Sequence, residues 1–302
     1  MEFLYLLESI RVPGLNEVML AVTKLGEETA FLVIGLIIFW CVDKRKGYYV
    51  MSVGFLGTMV SHVLKLACRV PRPWVRDPEF TILEQARAGA GGYSFPSGHT
   101  QTAVGTFGSI AIFARKKWLR ITCVILAVLV GISRMYVGVH TPADVIVGAA
   151  CALLLVFALR KLILQGGERE MKVNFILAIA VALVFFAYVH LWNFPGDMDE
   201  HNMASGFKNA YTMLGCTIGM AIVYVADTRW LDFPVQAKPG VQVLKVLIGL
   251  LVVLAVKEGL RAPLELILPV YPARAVRYFL IVITAGILWP LSFKRLSKLG
   301  AK

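Results

Sequence analysis

The chain is expected to be all-α, a polytopic bundle of about nine membrane-spanning helices preceded by short helices lying in the membrane interface. Three observations carry that expectation. Of 302 residues, 58% are hydrophobic and only 17% charged, where a soluble domain carries about 25% charged residues. The mean hydropathy is +0.72, and apolar runs of about 20 residues, the length of a spanning helix, recur along the chain. Lys and Arg gather in alternate loops between those runs.

Residues 1–28 are amphipathic: Leu4, Leu7 and Ile10 alternate with Glu8 and Arg11, and Pro13-Gly14 breaks the segment before Leu15 to Leu25. They read as one or two interfacial helices. Spans follow at 29–42, ended by Asp43-Lys44-Arg45-Lys46, and at 47–67. A polar loop rich in Arg, Pro and Gly fills 68–96. Next come 98–114, ended by Arg115-Lys116-Lys117, then 119–137 and 142–164. Later spans fall at 173–192, 206–226, 241–261 and 274–293. The organisation is therefore an interfacial segment (1–28), a transmembrane core (29–164) and C-terminal transmembrane helices (165–302). An odd number of spans puts the termini on opposite sides.

The net charge of +12 does not call for a nucleic-acid partner, because no soluble domain exists to present a basic face; loop asymmetry accounts for it. Lys44 to Lys46, Arg115 to Lys117, Arg120, Arg160, Lys161, Arg169, Lys172, Arg229, Lys238, Lys245, Lys294, Arg295, Lys298 and Lys302 share one side, 18 of the 31 basic residues. That side is cytoplasmic by the positive-inside rule. The loops after the second and fourth spans then face outward, or into a lumen. The five cysteines show no paired spacing, and four lie in apolar runs, as small buried residues. The N-terminus has neither a basic n-region nor a small-residue cleavage site, so no signal peptide is expected.

Chemistry concentrates in Ser133 to Asp144, S-R-M-Y-V-G-V-H-T-P-A-D. Pro142 suits the first turn of a helix and Thr141 its N-cap, so Asp144 falls where it orients a histidine just before the cap. His140 is thereby held at a helix N-terminus, which favours an anion. Arg134 ends the preceding helix. A nucleophilic His, an orienting Asp and a phosphate-clamping Arg fit this spacing. Lys65 to Pro73 (K-L-A-C-R-V-P-R-P) and Tyr93 to His99 (Y-S-F-P-S-G-H) meet it on the same side of the membrane. Lys65, Arg72 and Arg134 would surround one anion, the arginines with fork geometry. Ser97 and Gly98 stand where another helix N-terminus presents free N–H groups.

The ordered pattern K-x6-R-P, P-S-G-H, S-R-x5-H-x3-D resembles the type-2 phosphatidic-acid phosphatase (PAP2) superfamily at every signature position, over residues 65–144. The resemblance implies an integral-membrane phosphatase in which His140 attacks phosphorus to give a phosphohistidine. Asp144 fixes the tautomer of His140, and His99 protonates the leaving oxygen and then activates water. Lys65, Arg72, Ser97, Gly98 and Arg134 would bind phosphate, with no metal and no other cofactor. The nine-span layout is similar to glucose-6-phosphatase and the sphingosine-phosphate phosphatases; the commoner six-span bacterial members place the first motif after a third helix. The absence of a di-Lys retrieval signal and the short loops favour a bacterial inner membrane.

Other polar residues lie outside these three motifs. His62 shares a helix face with Lys65 and reads as a packed histidine. Arg69, Arg76 and Asp77 read as a solvated loop. Asp197, Asp199, Glu200 and His201 form an acidic loop to which no metal is assigned. Lys257, Glu258 and Arg261 read equally as functional or as snorkelling charges. The leading function is hydrolysis of a membrane lipid phosphate or pyrophosphate, with oligomeric state open. Hydrolysis of a soluble sugar phosphate, or phosphate transfer between lipid carriers, would use the same residues. A lipid transporter, the non-enzymatic alternative, calls for an inverted repeat with broken helices at mid-membrane, and residues 1–164 show neither that repeat nor a midplane charge pair.

Overall fold

Across the residues described by the computed structural model, 1–87, 89–194 and 200–298, every regular element is a helix. The N-terminal segment forms α1 (Glu2–Ser9) and α2 (Pro13–Lys24), broken where expected because Pro13 occupies the first turn of the second helix. Then follow α3 (Glu28–Cys41), α4 (Lys44–Cys68), the one-turn α5 (Pro73–Arg76) and α6 (Glu84–Arg87), α7 (Gly98–Phe113), α8 (Lys117–Tyr136) and α9 (Pro142–Leu159). After α9 the chain continues in π-helical turns over Arg160–Gln165, then α10 (Glu168–Leu191) and α11 (Glu200–Ala226). The C-terminal helices are α12 (Pro239–Gly259), α13 (Arg261–Ile267), α14 (Val270–Ile283) and the short α15 (Phe293–Leu296).

Among the described residues, seven helices are long and apolar enough to cross a membrane. The other two expected spans are present as shorter helices: α3 has 14 residues and α7 has 16. At 1.5 Å per residue these reach about 21 and 24 Å, against a hydrocarbon core near 30 Å. Several boundaries lie outside the apolar runs that announced them. α10 starts at Glu168 because Gly167 N–H donates to Glu170 Oε2 at 2.7 Å, so acidic residues begin the helix before its apolar stretch.

The chain forms two compact units, each drawn from separated stretches. The first comprises Met1–Leu32, Leu56–Leu159 and Phe194–Gly206. At its centre α7 packs on α8 and α9. Small residues permit this, as in other membrane bundles where backbones approach closely. A Cβ on Gly148 of α9 would lie 2.7 Å from the Ser97 carbonyl oxygen, and one on Gly131 of α8 would lie 3.1 Å from Val145. α8 is amphipathic in reverse: Ile121, Val124, Ile125, Val128 and Ile132 form its exposed stripe, while Val130, Gly131, Ser133 and Arg134 face inward.

In the same unit α1 and α2 do more than border the membrane. Leu4 is buried with Phe80, Ile82 and Met135, and Leu15, Met19 and Leu20 pack against Tyr136, Val137 and Val139. Arg11 Nε donates to the Tyr136 carbonyl at 3.0 Å and its Nη1 to the Thr81 carbonyl at 2.9 Å, tying the link between α1 and α2, the loop at Thr81 and the end of α8 together.

The second unit comprises Val33–Phe55, Arg160–Asn193 and Phe207–Lys302. An aromatic cluster of Phe39, Tyr48, Phe175, Tyr224, Phe233 and Phe293 holds it, with edge-to-face contacts dominating. Lys44 Nζ donates to Asp227 at 2.8 Å, and Arg45 donates to the Ile163 and Gly166 carbonyls. Trp40 Nε1 donates to the Ala285 carbonyl at 2.8 Å.

Candidate active site

Three helix ends of the first unit converge: the end of α4 with α5, the start of α7, and the junction of α8 with α9. Lys65, in the last turn of α4, donates through Nζ to the Tyr93 carbonyl at 2.7 Å and the Ser94 carbonyl at 3.4 Å. Arg72 precedes Pro73 at the cap of α5. Its Nε donates to the Gly92 carbonyl at 2.9 Å, Nη2 to Gly91 at 3.0 Å and Nη1 to Val139 at 2.9 Å. Both cations therefore hold the 91–94 segment in place. Gly92 must be glycine there, since its φ is +75° and a Cβ would meet Asn202 Oδ1 at 2.9 Å.

At the start of α7, Ser97 is the N-cap: its Oγ accepts from Thr100 N–H at 3.4 Å and from Thr100 Oγ1 at 2.9 Å. Ser97 N–H donates to the Asp144 carbonyl at 2.9 Å, fastening α7 to α9. Gly98 is the first residue of α7 and His99 lies in its first turn. Just beyond α2, Gly26 is seated against that turn, where a Cβ would come within 2.8 Å of the His99 carbonyl oxygen.

The third end is a reciprocal cap. Asp144 N–H donates to Thr141 Oγ1 at 3.3 Å and Thr141 N–H donates to Asp144 Oδ2 at 2.7 Å, so Asp144 both caps α9 and faces His140. Asp144 Oδ2 lies 3.5 Å from His140 Nδ1 and accepts from Ser94 Oγ at 2.6 Å. Arg72 Nη1 stands 3.0 Å from Nε2 and 3.5 Å from Nδ1, within reach of both ring nitrogens. Burial first, then Arg72 and Arg134, holds the His140 imidazole well below its ordinary pKa, so it is neutral. Arg134, 1% exposed, donates through Nη1 to Thr23 Oγ1 at 2.6 Å. Its Nε and Nη2 are buried with no hydrogen-bond partner among the described residues.

Charge and chemistry agree. Lys65, Arg72 and Arg134 cluster together, with Asp144 beside Lys65 and Arg72 and Glu27 beside Arg134, an arrangement whose buried positive excess suits a multiply charged anion. A neutral imidazole nitrogen facing an arginine, with a carboxylate behind the ring, suits attack on phosphorus.

Other expectations fall elsewhere. Lys257 and Arg261 are exposed and lie beside Glu258 at 3.5 Å and Glu265 at 3.6 Å, as surface charges. Asp77, in the loop after α5, accepts from Tyr5 Oη at 2.9 Å, an exposed bond that ties this loop to α1. Asp197 and Asp199 lie outside the described residues; among those described, no group of three His, Cys, Asp or Glu is arranged to hold a metal. Ser94 and Thr23 join the site without having stood out in the sequence. Ser94 falls inside the Y-S-F-P-S-G-H run, where a hydroxyl beside P-S-G-H is the only signal. Thr23 carries none.

This is the framework of a membrane-embedded phosphoryl-transfer enzyme. Residues 45–166 match the PAP2 superfamily, and residues 211–302 match the transmembrane extension of PAP2 superfamily phosphatases. The chain is 34% identical to phosphatidylglycerophosphatase B of Bacillus subtilis over 178 residues, 54% of this chain and 80% of that protein. It is 30% identical to an undecaprenyl-diphosphatase of Sulfolobus acidocaldarius over 148 residues, 49% of this chain and 70% of the other. Undecaprenyl-diphosphatase BcrC of Bacillus subtilis is 30% identical over 129 residues, 42% of this chain and 64% of that protein. No solved structure matches. The chain belongs to the PAP2 superfamily and is a multi-pass membrane phosphatase of that family.

Proposed function

We propose that this chain hydrolyses a lipid phosphate or lipid diphosphate through a phosphohistidine formed on His140, at a site facing away from the cytoplasm. The observation that carries the reading is the His140 ring, with Nε2 3.0 Å from Arg72 Nη1 and Nδ1 3.5 Å from Asp144 Oδ2. Nε2 attacks phosphorus while the bond to the leaving oxygen breaks, and His99 gives that oxygen a proton. His99 then takes a proton from water as the water attacks the phosphohistidine, releasing phosphate and restoring neutral His140. Lys65, Arg72 and Arg134, with the Ser97 hydroxyl and the Gly98 N–H, balance the charge on the phosphoryl oxygens.

The lipid substrate is supported by the similarity to phosphatases of phosphatidylglycerophosphate and undecaprenyl diphosphate. The extracytoplasmic face is supported by the basic loops opposite the motif loops. Release of inorganic phosphate from the purified chain tests it, with a phosphatidylglycerophosphate, a polyprenyl diphosphate and a sugar phosphate offered side by side. Release from a lipid is expected to survive EDTA, to be blocked by vanadate, and to vanish in His140→Ala. Activity on the sugar phosphate alone would overturn the lipid assignment. Residual His140→Ala activity above about a tenth of the wild type would remove His140 as nucleophile.

A further inference from the structure

We propose that Thr23, at the end of α2, is a positioning residue that sets the phosphate-binding edge of Arg134, so that the N-terminal helices complete the active site. This rests on the reading of Arg134 as a phosphate clamp.

A guanidinium has two usable faces for an oxyanion: the edge carrying Nε–H and one Nη2–H, and the end carrying both terminal nitrogens. Thr23 Oγ1 accepts one N–H of Nη1 at 2.6 Å, which fixes the rotation of the guanidinium from that nitrogen. What remains is the Nε–Nη2 edge, and those are the two nitrogens buried with no partner among the described residues. Two parallel donors on one edge match two phosphoryl oxygens. Arg72 is arranged differently. Its Nε and Nη2 are occupied by the Gly92 and Gly91 carbonyls, while Nη1 shares its two N–H groups between the Val139 carbonyl and the side of His140. The two arginines therefore do different work: Arg72 offers one terminal nitrogen beside the nucleophile, and Arg134 offers a fork.

The seat of Thr23 is built for this. The residue is 6% exposed. Three residues on, Gly26 lies so close to the His99 carbonyl and Val130 that a Cβ would stand 2.8 Å from each. The end of α2 thus touches the helix carrying His99 and the helix carrying Arg134 together. Upstream, Asn16 Oδ1 accepts from Tyr136 Oη at 2.7 Å, fixing α2 along α8. Losing the Thr23 hydroxyl frees Arg134 to rotate about its stem without loosening either helix.

The test compares Thr23→Val, of similar shape without the hydroxyl, with Thr23→Ser, which keeps it. The full-length protein in detergent is assayed for kcat and KM on a lipid phosphate and for the vanadate-induced shift in melting temperature. Thr23→Val is expected to lose roughly 10- to 100-fold in kcat/KM, the scale of a misplaced binding group, with its vanadate shift diminished beyond any fall in its melting temperature without vanadate. Thr23→Ser is expected to recover most of both. In an Arg134→Lys background, which has no fork to orient, Thr23→Val should cost about twofold or less. The proposal is overturned if folded Thr23→Val keeps its activity and vanadate shift, if Thr23→Ser fails as badly, or if Thr23→Val costs as much beside Lys as beside Arg. Should the wild type release no phosphate from any lipid, the proposed function fails, while the vanadate shift still decides the role of Thr23.

Discussion

As the proposed nucleophile, His140 has two requirements that pull against each other: its attacking nitrogen must be neutral, and the site around it must be cationic enough to hold phosphate. The structure meets both by burying the ring between Arg72 and Asp144. Burial and the neighbouring arginines depress its pKa, so the ring stays neutral as the pH falls, while a free imidazole would gain its proton. At pH 6 an ordinary histidine is roughly three-quarters charged. Nitrogen NMR of histidine-labelled protein, assigned with His140→Gln, should therefore show His140 neutral at pH 6 with its proton on Nδ1, facing Asp144. A charged ring at that pH would mean the arginines do not govern it. Ser94 belongs to the same arrangement, because its hydroxyl satisfies the Asp144 oxygen that faces the ring.

At the scale of elements, the site depends on how closely α7 and α9 approach. The contact is backbone against backbone, since a Cβ on Gly148 would sit 2.7 Å from the Ser97 carbonyl oxygen, which no flexible side chain can relieve. Gly148→Ala is expected to destabilise by about 1–3 kcal/mol, as overpacking does. It should also reduce activity, because the Ser97–Asp144 link that sets the start of α7 must move. Gly240, near the start of α12, has nothing within 4 Å of its Cβ position. Gly240→Ala should leave activity intact and hold or slightly raise the melting temperature, by up to about 1 kcal/mol of unfolded-state entropy. Equal losses at both positions would remove the special status of the α7–α9 contact.

For the molecule as a whole, the side of the membrane that the site faces decides which substrates reach it, and the chain carries its own reporter. Cys68 ends α4 and is exposed, whereas Cys123 and Cys216 are buried and Cys41 and Cys151 are half-buried. With the site outward, an impermeant maleimide should label Cys68 in intact cells. In a Cys68→Ser background, Gly167→Cys, in the loop before α10, should be labelled only after permeabilisation. The reverse pattern would place the chemistry on the cytoplasmic leaflet and restrict the enzyme to substrates presented there.

Hydrophobic run length and helix-end chemistry are local properties, and they make much of this protein legible in the order of its residues alone. Apolar runs mark the helices, Pro13 marks the break between α1 and α2, and Thr141-Pro142 marks the start of α9 with Asp144 in its first turn. The spacing of Lys65, Arg72, Ser97, His99, Arg134, His140 and Asp144 announces the family. Run length places the ends of α3 and α7 within a residue, and their helical hydrogen bonds continue to Val42 and Ala114. What stays hidden is what distance alone decides. Nothing in the order of residues relates Thr23 to Arg134, 111 positions away, or sets Arg72 Nη1 against a histidine 68 residues on. An amphipathic N-terminal segment reads the same whether its apolar face meets lipid or protein. Its seat on α8, and with it the division of labour between two arginines, is decided only when tertiary packing buries Leu4 and places Thr23 beside Arg134.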